Sequence, residues 1–238
     1  AEIARGLSEV TRLRYVASKV SNDGMLSANM SLLQRAMQHD PTNPKVAEEV
    51  AWLIKSHGQD APESLKNQLE SFLAEGKATT ITHALLSEHH LSRQDLRSAI
   101  PHLEQVVLRE PAGAPYLNNL AFVLAELHPD RLEEAQGYAQ RAIAAALASG
   151  KPNEDHYDTL ATILRKRGMV LEAITAYETA IEINSRRVDF HQRVAAAYRK
   201  TGNENMADKH EQVIQRLLAS GEAQHDALPI DQPATTPP

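Results

Sequence analysis

An all-α, right-handed solenoid of stacked helix pairs is the fold this sequence predicts, and three observations predict it. The first is a step of 34 residues, which takes Leu160 to Val194, Ala161 to Ala195, Gly168 to Gly202 and Ala173 to Ala207. The same step takes Leu86 to Leu120, Val16 to Val50 and Ala17 to Ala51. The second is a column of small residues in this frame: Ala17, Ala51, Ser87, Ala121, Ala161 and Ala195. A small side chain lets a second helix approach to about 8–10 Å between axes, so such a column marks contact points between packed helices. The third is composition. The chain is 42% hydrophobic and 24% charged but only 4% aromatic, and its abundant alanine, leucine and glutamate are good helix formers.

The elements follow in order. Residues 1–9 read as the end of a preceding helix or an extension of the first one. Six units then begin near Val10, Pro44, Thr80, Ala114, Glu154 and Val188, covering residues 10–221 as one continuous array. In the second unit "SLKNQLESFLAEG" aligns only with one inserted residue. Longer steps coincide with "GQDAP" at Gly58–Pro62, "HPD" at His128–Asp130 and "ASGKPN" at Ala148–Asn153, segments whose glycine, proline and polar residues suit surface turns. Pro41 and Pro111 follow second helices, where proline stops helical propagation.

The fifth unit is the most explicit. Tyr157, Leu160, Ala161 and Leu164 step by three and four, the pattern of an amphipathic helix. "RKRG" at Arg165–Gly168 adds basic residues near the helix end and a glycine suited to the left-handed cap. On the second helix Ala173, Ile174, Tyr177, Ala180 and Ile181 share a face, with Tyr177 filling the groove that the two alanines open. The sixth unit places Glu211 where the fifth has Tyr177, as a terminal unit with a polar outer face requires. Residues 222–238 are polar and proline-rich and are expected to form a disordered tail.

With its 34-residue helix–turn–helix unit and its columns of large, small and terminal proline residues, the chain resembles the tetratricopeptide repeat family. The family's preferred tryptophan near the start of the first helix is replaced by Leu13, His83, Leu117, Tyr157 and His191. The resemblance implies a scaffold with a concave groove that holds a protein or peptide. Some members grip a C-terminal carboxylate with Lys, Asn and Arg from three successive first helices. Here those places hold Ala84 and Glu88, then Asn119, then Asp155 and Thr159. Only the asparagine matches, and the acidic residues would repel a carboxylate.

Several functions are disfavoured. A net charge of −6 without a dense basic patch argues against nucleic-acid binding. There are no cysteines, hence no disulfide, thiolate metal site or cysteine nucleophile. No apolar run approaches the roughly 18 residues of a membrane span, so no membrane contact is expected from this segment. The chain opens on Ala1 without an initiator Met or signal peptide and reads as a fragment or processed form. Its compartment stays open, with the cytoplasm slightly favoured over a periplasm. No catalytic motif stands out, so no enzymatic activity and no cofactor are expected. Among the eleven histidines, His83, His90 and His102 form the best metal arrangement, but they read better as interface residues, and no metal is expected.

Binding residues come from the first-helix face turned away from the neighbouring helices. Trp52 and Phe122 share a column there, with Lys55 beside the former and Asn118 and Asn119 beside the latter. Each aromatic either grips an apolar side chain of a partner or packs on its own unit's second helix. The asparagines suit hydrogen bonding to an extended peptide backbone. Asp155, Asp158 and Arg165 of the fifth unit, with Asp189 and Arg199 of the sixth, complete the set. The function expected is a protein-interaction scaffold. The alternative is an architectural or self-associating arm of a larger protein, including one attached to an enzyme such as a glycosyltransferase.

Overall fold

A computed structural model describes residues 7–13, 26–40, 43–57, 63–76 and 78–224. Residues 7–13 form helix α1, continuous across the expected boundary at Val10. The helices that follow are α2 (Leu26–His39), α3 (Pro44–His57), α4 (Glu63–Ala74), α5 (Thr80–Ser92) and α6 (Leu96–Arg109). Next come α7 (Ala114–Leu127), a 3₁₀ turn at Pro129–Arg131, α8 (Leu132–Ala148), α9 (Glu154–Lys166), α10 (Val170–Ile183), α11 (Val188–Lys200) and α12 (Glu204–Ser220). The chain divides into two compact units, Ala1–Arg109 and Glu110–Pro238, and each is described by itself.

Within each unit, consecutive helices pair as antiparallel hairpins: α5 with α6, α7 with α8, α9 with α10 and α11 with α12. First helices also meet, α3 against α5 in one unit and α7 against α9 in the other. The small-residue column makes this close approach available. Ala51, Ser87, Ala121, Ala161 and Ala195 are all fully buried; Ala17 lies outside the described residues. Ser87 satisfies its hydroxyl by donating to the carbonyl of Ala84 at 2.7 Å, so a polar residue serves in a column of alanines without an orphaned group. Ala173, Tyr177 and Ala180 are likewise fully buried on α10.

Local chemistry sets the helix ends. Thr79, Asn153 and Asn203 cap α5, α9 and α12, their side-chain oxygens accepting from the backbone amides of Thr82, Asp155 and Met206. Gly168 and Gly202 take φ of +82° and +78°, the left-handed turn that lets the second helix fold back on the first. The "HPD" insertion becomes the 3₁₀ turn, and "ASGKPN" follows the last turn of α8. The segment of the second repeat that aligns only with one inserted residue forms α4, with Leu69 and Phe72 buried in a core that includes Leu33, Met37, Val46, Val50 and Leu53. Helix α6 continues through Pro101, whose missing N–H forfeits one intrahelical bond.

Composition alone makes residues 222–238 a disordered tail. In the structure the first residues beyond Gly221 fold back. Gln224 donates its amide to the carbonyl of Arg186 at 2.8 Å and accepts from the amide of Val188 at 3.1 Å, while Asn184 Nδ2 donates to its side-chain Oε1 at 3.0 Å. Ala223 packs on Val188, Ile214 and Leu217. The polar composition that suggested a tail is used in pairing with the turn between α10 and α11. Residues 225–238 lie outside the described residues, as do residues 1–6, Pro41 and Gly58–Pro62.

Candidate protein-binding face

In the unit Glu110–Pro238, the first helices α7, α9 and α11 present one continuous lining. A small hollow of about 30 Å³ lies among Phe122, Ala125, Glu126, Asp158, Thr159, Thr162, Ile163 and Arg193. A wider cleft of about 460 Å³ adjoins it, bounded by Glu126, Thr162, Arg165, Lys166, Asp189, Gln192, Arg193 and Ala196. Successive helices contribute because the repeat returns the same face of each first helix to the same side.

Charge inside this face is largely internally matched. Asp158 forms an ion pair with Arg193, and both side chains are mostly buried, 15% and 20% exposed. Arg193 also reaches Asp189 at 3.9 Å. Arg187, at the α10–α11 turn, donates to both carboxylate oxygens of Asp189 at 2.8 and 2.7 Å and to Asp155 at 3.0 Å. Its guanidinium lies 4.1 Å from the ring centre of Phe190, a cation–π contact in a desolvated place. Lys166 donates to the carbonyl of Ala125 at 3.0 Å and pairs with Glu126 at 2.5 Å, tying α9 to the end of α7.

The pKa directions follow from these contacts. Burial pushes the Asp158 carboxyl above its ordinary range, against the opposing pull of Arg193. Burial would raise Asp189 as well, but hydrogen bonds from Arg187 and the charges of Arg187 and Arg193 hold it below its usual value. Burial acts to lower Arg193, yet Asp158 and Asp189 keep its pKa raised, so it stays charged. Asp158 Oδ1 and Asn118 Oδ1 are buried atoms without a hydrogen-bond partner.

Of the residues singled out in the sequence, Phe122, Asp158, Arg165 and Asp189 come together around the hollow and the cleft. Asn118 and Asn119 are half-buried on α7 and line neither. Asp155 is committed to Arg187. Arg199 is exposed and pairs with Glu211 at 3.1 Å. Trp52 is half-buried on α3, in the other unit, and the side chain of Lys55 lies outside the described residues. The carboxylates expected as open contact points are therefore partners of buried arginines. Sequence reasoning passed over Arg187 and Arg193 because it sorted charges helix by helix. Arg193 stands 35 residues after Asp158, close to one repeat, and that spacing was the available signal.

Among the described residues no group of three or more His, Asp or Glu side chains is placed to hold a metal ion. Also among these residues, no helix is long and apolar enough to cross a membrane.

No family model and no curated protein matches this sequence. Solved structures do match. The structure of residues 41 to the end of MamA from Desulfovibrio magneticus RS-1 aligns with a TM-score of 0.63 at 15% identity, covering 77% of this chain and 98% of that one. MamA of MSR-1 aligns at 0.58 with 13% identity, covering 75% and 98%. The Cut9–Hcn1 hetero-tetramer of the APC/C aligns at 0.55 with 16% identity, covering 81% of this chain but 37% of that one. At such identities the likeness concerns the backbone. Helix pairs at a 34-residue step, a buried column of small residues and these structural neighbours agree: this chain has the tetratricopeptide-repeat fold.

Proposed function

We propose that this chain is a non-enzymatic protein-interaction scaffold, and that the first-helix face of Glu110–Pro238 receives an extended peptide or a helix from a partner protein. The observation that carries this reading is the cleft bounded by α9, α11 and the end of α7, with half-buried Phe122 beside it. Such a surface pairs an aromatic anchor with hydrogen-bonding side chains along a strip, as peptide recognition needs. Trp52 extends the proposed set in the first unit. With Asp155, Asp158 and Asp189 paired internally, specificity rests on Phe122, Thr162, Arg165 and Gln192. Cut9, a neighbour in fold, is itself found in a hetero-tetramer with Hcn1.

Panning a displayed peptide library against the purified chain tests the proposal. Enriched peptides should lose at least tenfold in affinity to Phe122→Ala and to Thr162→Arg, which fills the cleft, while helicity by circular dichroism stays unchanged. Peptides whose binding ignores both substitutions would remove this face from the account. Trp52→Ala is measured alongside, to show whether the first unit takes part.

A second reading is self-association, and one observation favours it. Leu7, Val10 and Leu13 of α1 form an apolar stripe, each about half exposed, at the spacing of one helix face. Light scattering across a concentration series separates the readings: a monomer at high concentration argues against self-assembly.

A further inference from the structure

Two histidine pairs occupy matching places in the fold, one in each compact unit. His83, fourth residue of α5, and His102, seventh of α6, face each other with Nδ1 atoms 3.0 Å apart and rings 5.3 Å apart at 42°. His191, fourth of α11, and His210, seventh of α12, do the same at 2.9 Å and 5.2 Å with 41°. A third ring stacks on the second histidine from the same register. It is His90, eleventh of α5, in one case (5.6 Å, 8°) and Tyr198, eleventh of α11, in the other (5.8 Å, 18°). The fifth repeat, α9 with α10, carries Tyr157, Ala176 and Leu164 at these positions. The cluster is thus a substitution of a packing position, made twice with the same geometry.

Two imidazoles with facing Nδ1 atoms can share only one hydrogen between them. In the α11–α12 pair the order is set by a further contact. His191 Nε2 lies 3.1 Å from the carbonyl of Ser185, and a carbonyl only accepts, so Nε2 carries the hydrogen. Neutral His191 must then accept at Nδ1, which makes His210 the Nδ1–H tautomer. One added proton leaves a single cation, and the ring that stays neutral can still accept at Nδ1. Protonation of both rings puts two N–H groups and two charges face to face with no acceptor between them, and the bond between helices becomes a repulsion.

We propose that the two pairs are acid-sensitive latches that hold each first helix to its second helix and release it when both rings of a pair are protonated. The ionisable groups acting on them are named by the structure. His102 feels His83 and His90, His83 feels Arg109, and His90 is in turn 3.2 Å from Asp95. His210 feels His191 and, with opposite sign, Glu178, which accepts from Tyr198. Burial lowers His83, His102 and His210, with His102 brought to about 4 by burial and its two histidine neighbours. A histidine held neutral in the fold takes up protons on unfolding, so its stabilisation is complete above about pH 6.5 and declines as the pH falls from there towards its folded value.

Nitrogen-15 spectra of histidine-labelled full chain test the proposal directly. At neutral pH His210 should appear as the Nδ1–H tautomer and His191 as Nε2–H, and His102 should titrate at least two units below the ordinary value. In parallel, thermal midpoints of the wild type and of a variant carrying His83→Tyr, His102→Ala, His191→Tyr and His210→Ala are compared near pH 7.5 and pH 5. The acid-induced drop should shrink by half or more in the variant. His210 as Nε2–H with His102 titrating near 6.5, or an undiminished drop in a folded variant, overturns the latch. Should the variant not fold, the wild-type spectra decide alone.

Discussion

Replacing Arg193 by leucine removes the cation from a carboxylate that is 15% exposed and already has one oxygen without a partner. Breaking a buried pair from one side costs about 3–5 kcal/mol, because the remaining charge is stranded. Asp158 keeps some access to solvent, so the lower end, about 3 kcal/mol, is the expected loss. With a slope of about 2 kcal/mol per molar urea, the unfolding midpoint of this unit should fall by about 1.5 M near pH 7.5. The deficit should also depend on pH. The folded pKa of Asp158 already lies above its unfolded value and will rise further without Arg193. The native state then binds the proton more tightly than the unfolded one, so stability falls as pH rises and recovers on acidification. Urea titrations by far-UV circular dichroism near pH 7.5 and pH 5 give both numbers, and the only tryptophan, Trp52, follows the first unit separately by fluorescence. Asp158→Asn combined with Arg193→Leu should restore most of the loss at neutral pH. A single-variant deficit below about 1 kcal/mol, or one equal at both pH values, would refute the reasoning.

Further expectations follow from the packing. Ala161→Leu places a large side chain in a fully buried contact column and should cost about 1–3 kcal/mol by overpacking, read from the same urea titration. Tyr177→Ala empties the groove between Ala173 and Ala180 and should cost about 3–5 kcal/mol. Gly168→Ala meets no neighbour within 4 Å but must hold φ near +82°, so a loss of about 1 kcal/mol is expected from backbone strain alone. Ending the chain after Gly221 removes the backbone pairing of Gln224 with Arg186 and Val188; amide exchange around Arg186–Val188 should accelerate at least tenfold, while α9 stays protected.

The helix-pair architecture was legible because its physical requirement, small residues where backbones touch, recurs in one frame from Ala51 to Ala195. The turn glycines were legible for a similar reason: a positive φ leaves few substitutes for Gly168 and Gly202. The charged face was less so. A helical wheel shows that Asp155, Asp158 and Asp189 point away from the neighbouring helix, but not that Arg187 and Arg193 arrive from the next turn and the next repeat to meet them. Pairing across repeats depends on three-dimensional offset, and periodicity within one helix does not contain it. The histidine pairs carried a plainer signal, since His102 and His210 each stand 19 residues after His83 and His191.

The ion pairs between neighbouring helix pairs also bear on how such a protein could be rearranged. Lys166 on Glu126 joins the fourth pair to the fifth, whereas Arg187 and Arg193 on Asp155 and Asp158 join the fifth to the sixth. The alanine contacts do not distinguish these three modules, since Ala121, Ala161 and Ala195 are all fully buried. Shuffling these modules would strand buried cations and carboxylates opposite the wrong neighbours, so here the succession of modules is encoded in polar keys laid over an otherwise interchangeable frame.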